Sequence, residues 1–310
     1  MKTGRRPHSW WLVIAGVLLT LGIFCGCLSA GAEPPQATFE SIYSRATNKA
    51  GAVILYKPLS QDARHLETLL APFILQSVDP ASTQTNDANL LQTDFGATLA
   101  GATNPQPIVY FRAQTWTNTG TVCTQMLYLW LYAPSASPEA LPVQGLRVTL
   151  DTNGFPVIWE VLAAPQNRQE VYVAGSLEHA SLQHFGGRLP GRRFAVEPSL
   201  QLAPRLIMPA VVEDSPVVFG PMFYLEPRTR GPHAVICRCM PALATQIVQT
   251  VYYDLQPWPE NALKVLEQMP KGKAIARQIE DFIQHRPAAQ LRLPPPFESR
   301  TVPQRVDANK

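Results

Sequence analysis

The sequence is poor in charge. Lys, Arg, Asp and Glu make up 16% of its 310 residues, against about 25% in an ordinary soluble domain. The charge it has does not lean to one sign once the N-terminus is set aside. The formal excess of +3 equals the three cations Lys2, Arg5 and Arg6, which lie in a leader without Asp or Glu. Beyond it stand 23 acidic residues and as many basic ones. No basic field remains to attract a phosphate backbone, so nucleic acid is not an expected partner.

Cysteine is also scarce. Two of the five, Cys25 and Cys27, fall in the leader, which leaves Cys123, Cys237 and Cys239. Three thiols allow one internal disulfide at most and leave one over. A disulfide-stapled mini-domain is excluded, and a chain of about 250 residues can bury a core without staples.

Most catalytic motifs are missing. "VAGSLEH" sets Gly175 directly before Ser176 and makes no Gly-x-Ser-x-Gly elbow. There is no glycine fingerprint for a dinucleotide and no His-Glu-x-x-His. His179 and His184 are five apart, roughly 140° around a helix, and cannot grip one metal together. His184 shares a stripe with Leu177 and reads as a core histidine. No catalytic residue is assigned and no cofactor is implied.

What is abundant is proline, 30 residues of 310, about twice the usual share. It suits ordered, punctuated loops. The N-terminus is equally distinctive. After the three cations comes an uncharged run of eighteen residues, Trp10 to Cys27, and then "SAGAE". A charged start, an apolar middle and small residues are the layout of a secretory signal, here residues 1–32. The run is also just long enough to cross a bilayer. Three fates are open: cleavage after Ala32, retention as an anchor with its positive end inside, or lipidation of Cys27. "FCGC" resembles a bacterial lipoprotein box, with Phe24 where Leu is usual. All three predict an exported protein of the periplasm or cell envelope, and two of them join it to a membrane through the segment or a lipid.

Residues 33–37 read as a tether, 38–286 as one globular domain, with a division into two subdomains near residue 140 left open, and 287–310 as a proline-rich disordered tail. "GAVILY", a helix from a Ser60 cap to Pro72, and "FILQ" form a strand–helix–strand unit. Residues 77–106 read as a long loop. "PIVYFRAQTW" and "TVCTQMLYLWLYAP" pair around "TNTG", with Cys123, Leu127, Leu129 and Leu131 on one face. Asn153-Gly154 predicts a type I′ hairpin that sets Arg147 opposite Glu160 and Val148 opposite Trp159. "EVYVAG" is a strand, and "SLEHASLQHFGG" a helix capped by Ser176 and ended by glycine. "RLIMPAVV", "PVVFGPMFYLE" and "HAVICRC" read as strands. Three helices should follow: "PALATQIVQTVYYDL", with Leu243, Ile247, Val248, Val251, Tyr252 and Leu255 on one stripe and Pro241 at its start, then "PENALKVLEQM" and "KGKAIARQIEDFIQH". The predicted fold is α+β: a mostly antiparallel sheet built from hairpins, with an N-terminal strand–helix–strand unit and C-terminal helices.

Three groups carry candidate chemistry. "GGRLPGRR" concentrates Arg188, Arg192 and Arg193 around glycines and could cradle an anion, or be a helix end with solvated arginines. Glu160 sits in a strand apolar on both faces; unpaired, it would be a candidate acid for a hydrolase, whereas the hairpin register pairs it with Arg147. Cys237 and Cys239 are two apart on a strand, so their thiols share a face. They are plain core, or one pairs with Cys123; or, with His233, Met240 or Cys123, they bind copper(I) or zinc; or they form a Cys-x-Cys disulfide, which needs a local bend. The resulting expectation is an exported, envelope-associated protein with a binding or structural role. The alternatives are a thiol-based metal or redox protein on Cys237 and Cys239, and a hydrolase on Glu160.

Overall fold

Just after the leader, "FESIYSRA" spaces Phe39, Ile42, Tyr43 and Ala46 at helical intervals. All four are buried, and they dock helix α1 (Gln36–Thr47) onto Ile207. The computed structural model describes residues 36–60, 62, 64–78, 106–118, 121–132, 139–269 and 271–295. The leader with Cys27, the middle of the long loop and the end of the tail lie outside the described residues. Those described form one compact unit starting at Gln36.

The strands are β1 (Ala50–Pro58), β2 (Phe73–Ser77), β3 (Ile108–Asn118), β4 (Thr121–Leu131), β5 (Val143–Leu150), β6 (Pro156–Val161), β7 (Gln169–Ala174), β8 (Leu206–Ile207), β9 (Val211–Val212), β10 (Met222–Leu225), β11 (Pro232–Ile236) and β12 (Ala244–Pro257). The helices after α1 are a single turn, α2 (Leu66–Leu69), then α3 (Gly175–Phe185), α4 (Ala262–Glu267) and α5 (Gly272–Gln284). The strands form one twelve-stranded sheet in the order β11-β10-β2-β1-β12-β3-β4-β5-β6-β7-β8, with β9 beside β7. The class is α+β. From β3 to β7 the sheet is an antiparallel meander, which runs unbroken past residue 140 because β4 pairs with β5. The other half is mixed: β10–β11 and β1–β2 are antiparallel, but parallel pairs join them to the rest. β12 runs parallel to both β1 and β3, and β10 runs parallel to β2.

That difference turns on β12. Its apolar stripe has helical spacing, yet Ala244–Pro257 forms strand. Thr245, Ile247, Val248, Thr250, Val251, Tyr252 and Tyr253 are β-branched or aromatic, stiff at χ1 and suited to a pleated surface. Pairing with β1 across nearly 200 residues of sequence settles the matter, so Pro241 lies in a crossing rather than at a helix start. The Ser60 helix shrinks to α2, because the Asp62 carboxylate takes the backbone N–H of Arg64 at 3.0 Å and offers the chain a local turn instead.

The Asn-Gly hairpin is right in register and wrong in turn type. Arg147 faces Glu160 and Val148 faces Trp159, but the ladder shifts by one between Thr149 and Leu150. Gly154 has φ 82° while Asn153 stays out of the left-handed region, so a type I′ turn is not formed. The loop is a three-residue turn with a bulge, held by the Asp151 side chain on the N–H groups of Asn153 and Phe155 at 2.9 and 2.8 Å.

The core is divided between sheet faces. The largest cluster centres on Trp130, Tyr128, Trp159 and Phe223. A second lies under α4 and α5, where Ile279 and Phe282 meet Leu127, Leu129 and Leu131. Cys123 is buried but packs in the first cluster with Trp116, apart from those leucines. Ser176 does not cap α3; its N–H and hydroxyl donate to the Asp214 carboxylate at 2.9 and 2.8 Å, and Gly186 ends the helix with φ 68°. The first part of the expected tail is packed: Ala288 and Leu291 are core residues. Among the described residues no helix is long and apolar enough to cross a membrane.

Candidate functional site

The sulfurs of Cys237 and Cys239 are bonded to each other. β11 delivers them. It ends at Ile236, and the chain bends at once into a turn closed by the N–H of Met240 on the carbonyl of Cys237 at 3.1 Å. The bend brings the two Cα atoms to 5.2 Å, within the ordinary range for a disulfide, which an extended chain would approach only at its limit. The bond spans one intervening residue.

The two sulfurs are not equivalent. Cys237 is 4% exposed and belongs to the core, whereas Cys239 lies at the surface. The backbone N–H of Cys239 donates to the Cys237 sulfur at 3.0 Å, and the Cys239 sulfur sits 3.9 Å from the carbonyl oxygen of Asp214. Arg238, between them, turns inward. Its guanidinium donates to the carbonyl of Ala71, covers the Phe73 ring at 3.8 Å, and lies 6.0 Å from the Phe219 ring. Burial pulls its pKa down to about 10, against the opposing influence of Tyr253 and Tyr128. Arg238 therefore pins the tripeptide to the strand entering β2 and leaves Cys239 facing out.

The other sequence candidates do not join this pair. His233 stands four residues earlier on β11, roughly 13 Å along an extended chain. Its ring hydrogen-bonds at 3.3 Å to the carbonyl of Asn48, and burial lowers its pKa. Cys123 is a free, buried thiol, pushed up by burial. Among the described residues no group of three His, Cys, Asp or Glu is placed to hold a metal. The helix predicted to start at Pro241 is not formed, and β12 follows the pair instead.

Arg188, Arg192 and Arg193 do not converge. Arg192 is buried and spends its donors on the carbonyls of Pro198, Leu206 and Ala203 at 2.7–2.8 Å, beside Glu197 at 3.6 Å. Arg193 stacks on Tyr43 at 4.8 Å. Arg188 is exposed. Arg192 is thereby committed to the fold, while Arg188 and Arg193 stay at the surface. His184 is exposed, not core.

Glu160 and Arg147 are both fully buried and paired at 3.1 Å. Arg147 also donates to the carbonyl of Phe282 and stacks on its ring at 4.4 Å. The second Glu160 oxygen takes the N–H of Ala288 at 2.9 Å. Both oxygens are engaged, and the carboxylate ties α5 and its C-terminal extension to the sheet.

One feature has no signal in the sequence. A cleft of about 560 Å³ opens between the β6–β7 connection and α5, lined by Arg168, Arg277, Asp281, His285 and Phe282 among others. Gln166 and Asn167 in that connection hold φ 62° and 57°, a conformation that non-glycine residues seldom adopt and that concentrates at functional sites.

Comparison with family models, with curated proteins and with solved structures finds no match to this chain.

Proposed function

We propose that the chain is an exported, envelope-associated protein whose working group is the Cys237–Cys239 pair, cycling between dithiol and disulfide. The observation that carries the reading is the bond itself, closed across one residue with one sulfur at the surface. A ring this small removes little chain entropy, so the bond does little for stability. Exposed disulfides are the labile and exchangeable ones, while structural disulfides resist reduction. The leader supports the same reading, because disulfides persist in oxidising compartments. Cys123, buried and protonated, does not compete.

The test is a thiol count on the folded protein. Mild reduction without denaturant should expose one alkylatable thiol, Cys239, while Cys123 and Cys237 stay blocked in the core until the chain is unfolded. A pair that stays closed until denaturant is added would overturn the reading. Bound copper or zinc in the reduced protein would move it to the metal alternative.

A ligand-binding role is the second reading, and the cleft between the β6–β7 connection and α5 favours it. Its size lies within the range of small-molecule sites, and its lining mixes apolar Val161, Leu162 and Phe282 with polar Arg168, Arg277 and His285.

A further inference from the structure

We infer that the disulfide serves polypeptide chains that carry an apolar residue beside a cysteine, rather than small charged thiols; this rests on the redox reading above. The inference comes from what surrounds Cys239. The two segments that meet at its sulfur carry three exposed large apolar side chains: Met240 at 43%, Phe219 at 42% and Val217 at 46%. Met240 is the next residue. Phe219 is tied to the site through Arg238, and Val217 belongs to the same 213–221 segment as Asp214, whose carbonyl faces the Cys239 sulfur. Isolated apolar residues at a surface are ordinary; three on the two short segments that meet at one reactive sulfur point to a partner.

Charge narrows the partner further. Arg238 is turned away into the protein, and the Asp214 carboxylate is engaged by Ser176. The exposed charge left in segments 213–221 and 237–243 is Glu213. Glutathione carries net negative charge and would meet no free cation there. A neutral, apolar stretch of chain would bury Met240 and Phe219 while its cysteine reached Cys239.

The exchange balances as follows. A thiolate of the partner attacks the exposed Cys239 sulfur, the Cys237–Cys239 bond breaks, and Cys237 leaves as a thiolate. The N–H of Cys239, already pointed at that sulfur, stabilises the departing charge. A second thiolate of the partner then attacks its own sulfur in the mixed disulfide and releases Cys239. Two electrons pass to the protein, the two protons of the partner end on Cys237 and Cys239, and the partner leaves with a disulfide. The reverse sequence reduces a partner.

The test compares three reductants on the oxidised full chain, read by quenched alkylation. They are a cysteine peptide flanked by Leu and Phe, the same peptide flanked by Ser and Gln, and glutathione. The apolar peptide should react about tenfold faster than the polar one, the gain from burying one large apolar side chain. In Phe219→Ser and Met240→Ser, each checked for unchanged melting, the ratio of apolar-peptide to glutathione rate should fall severalfold. Equal rates for the two peptides, or ratios that neither substitution moves, would overturn the substrate class and leave the redox reading standing. If none of the three reductants opens the bond in the folded protein, the redox reading itself fails.

Discussion

Reducing the Cys237–Cys239 bond should soften the protein slightly and leave it folded. The bond closes a loop of three residues, Cys237 to Cys239. Loop-closure entropy for so short a ring is about 5 cal/mol/K, or about 1.6 kcal/mol at 25 °C, against about 4.7 kcal/mol for a loop of 100 residues. Packing adds little to the difference, because Cys237 stays in the core whether it carries a bond or a proton. For a domain of this size, 1 kcal/mol moves Tm by about 2–4 °C, so reduction should lower Tm by about 3–6 °C. Differential scanning calorimetry with and without a phosphine reductant measures it, and Cys239→Ser should match the reduced wild type. A fall of more than about 15 °C, or loss of the folded baseline, would show that the bond is a structural staple and refute the reasoning.

Two further outcomes test the rest of the account. Arg147→Met leaves the Glu160 carboxylate buried without its cation and should cost about 3–5 kcal/mol in denaturant melts, while the double substitution with Glu160→Leu should recover most of the loss. His233 is held below its ordinary pKa by burial, so it binds a proton more readily in the unfolded chain. Its contribution is present above about pH 6.5 and is lost as pH falls through the lowered folded value; melts between about pH 7.5 and 5 should show wild type losing stability to His233→Gln on the acid side.

The antiparallel meander was legible because its signals are local. Hairpin turns and short apolar runs marked β3 to β7, and the Asn153-Gly154 turn placed Arg147 on Glu160. The helical stripe of α1 was equally readable in Phe39, Ile42, Tyr43 and Ala46, yet it lay in a stretch given over to a tether and an unassigned start. β12 was not legible from spacing, since one pattern of apolar residues fits both a helix face and a half-exposed strand; β-branched content and a distant partner decided it. At the site, the bend that a Cys-x-Cys bond requires could be derived; the shared strand face could not hold, because β11 ends at Ile236. The inward turn of Arg238 and the approach of Asp214 and Phe219 could not, because they depend on a loop brought in by tertiary packing. The buried Arg192, likewise, finds its acceptors in carbonyls that sequence does not advertise.

The central claim is that Cys237 and Cys239 exchange electrons with outside thiols in the folded state. The most direct measurement is an equilibrium titration of the native protein in glutathione buffers, with alkylation and mass analysis of the peptide that carries both cysteines. The account predicts a reversible two-electron transition at a potential that ordinary thiol–disulfide couples span, about −120 to −270 mV. A bond that stays closed below about −300 mV, the behaviour of structural disulfides, would contradict it.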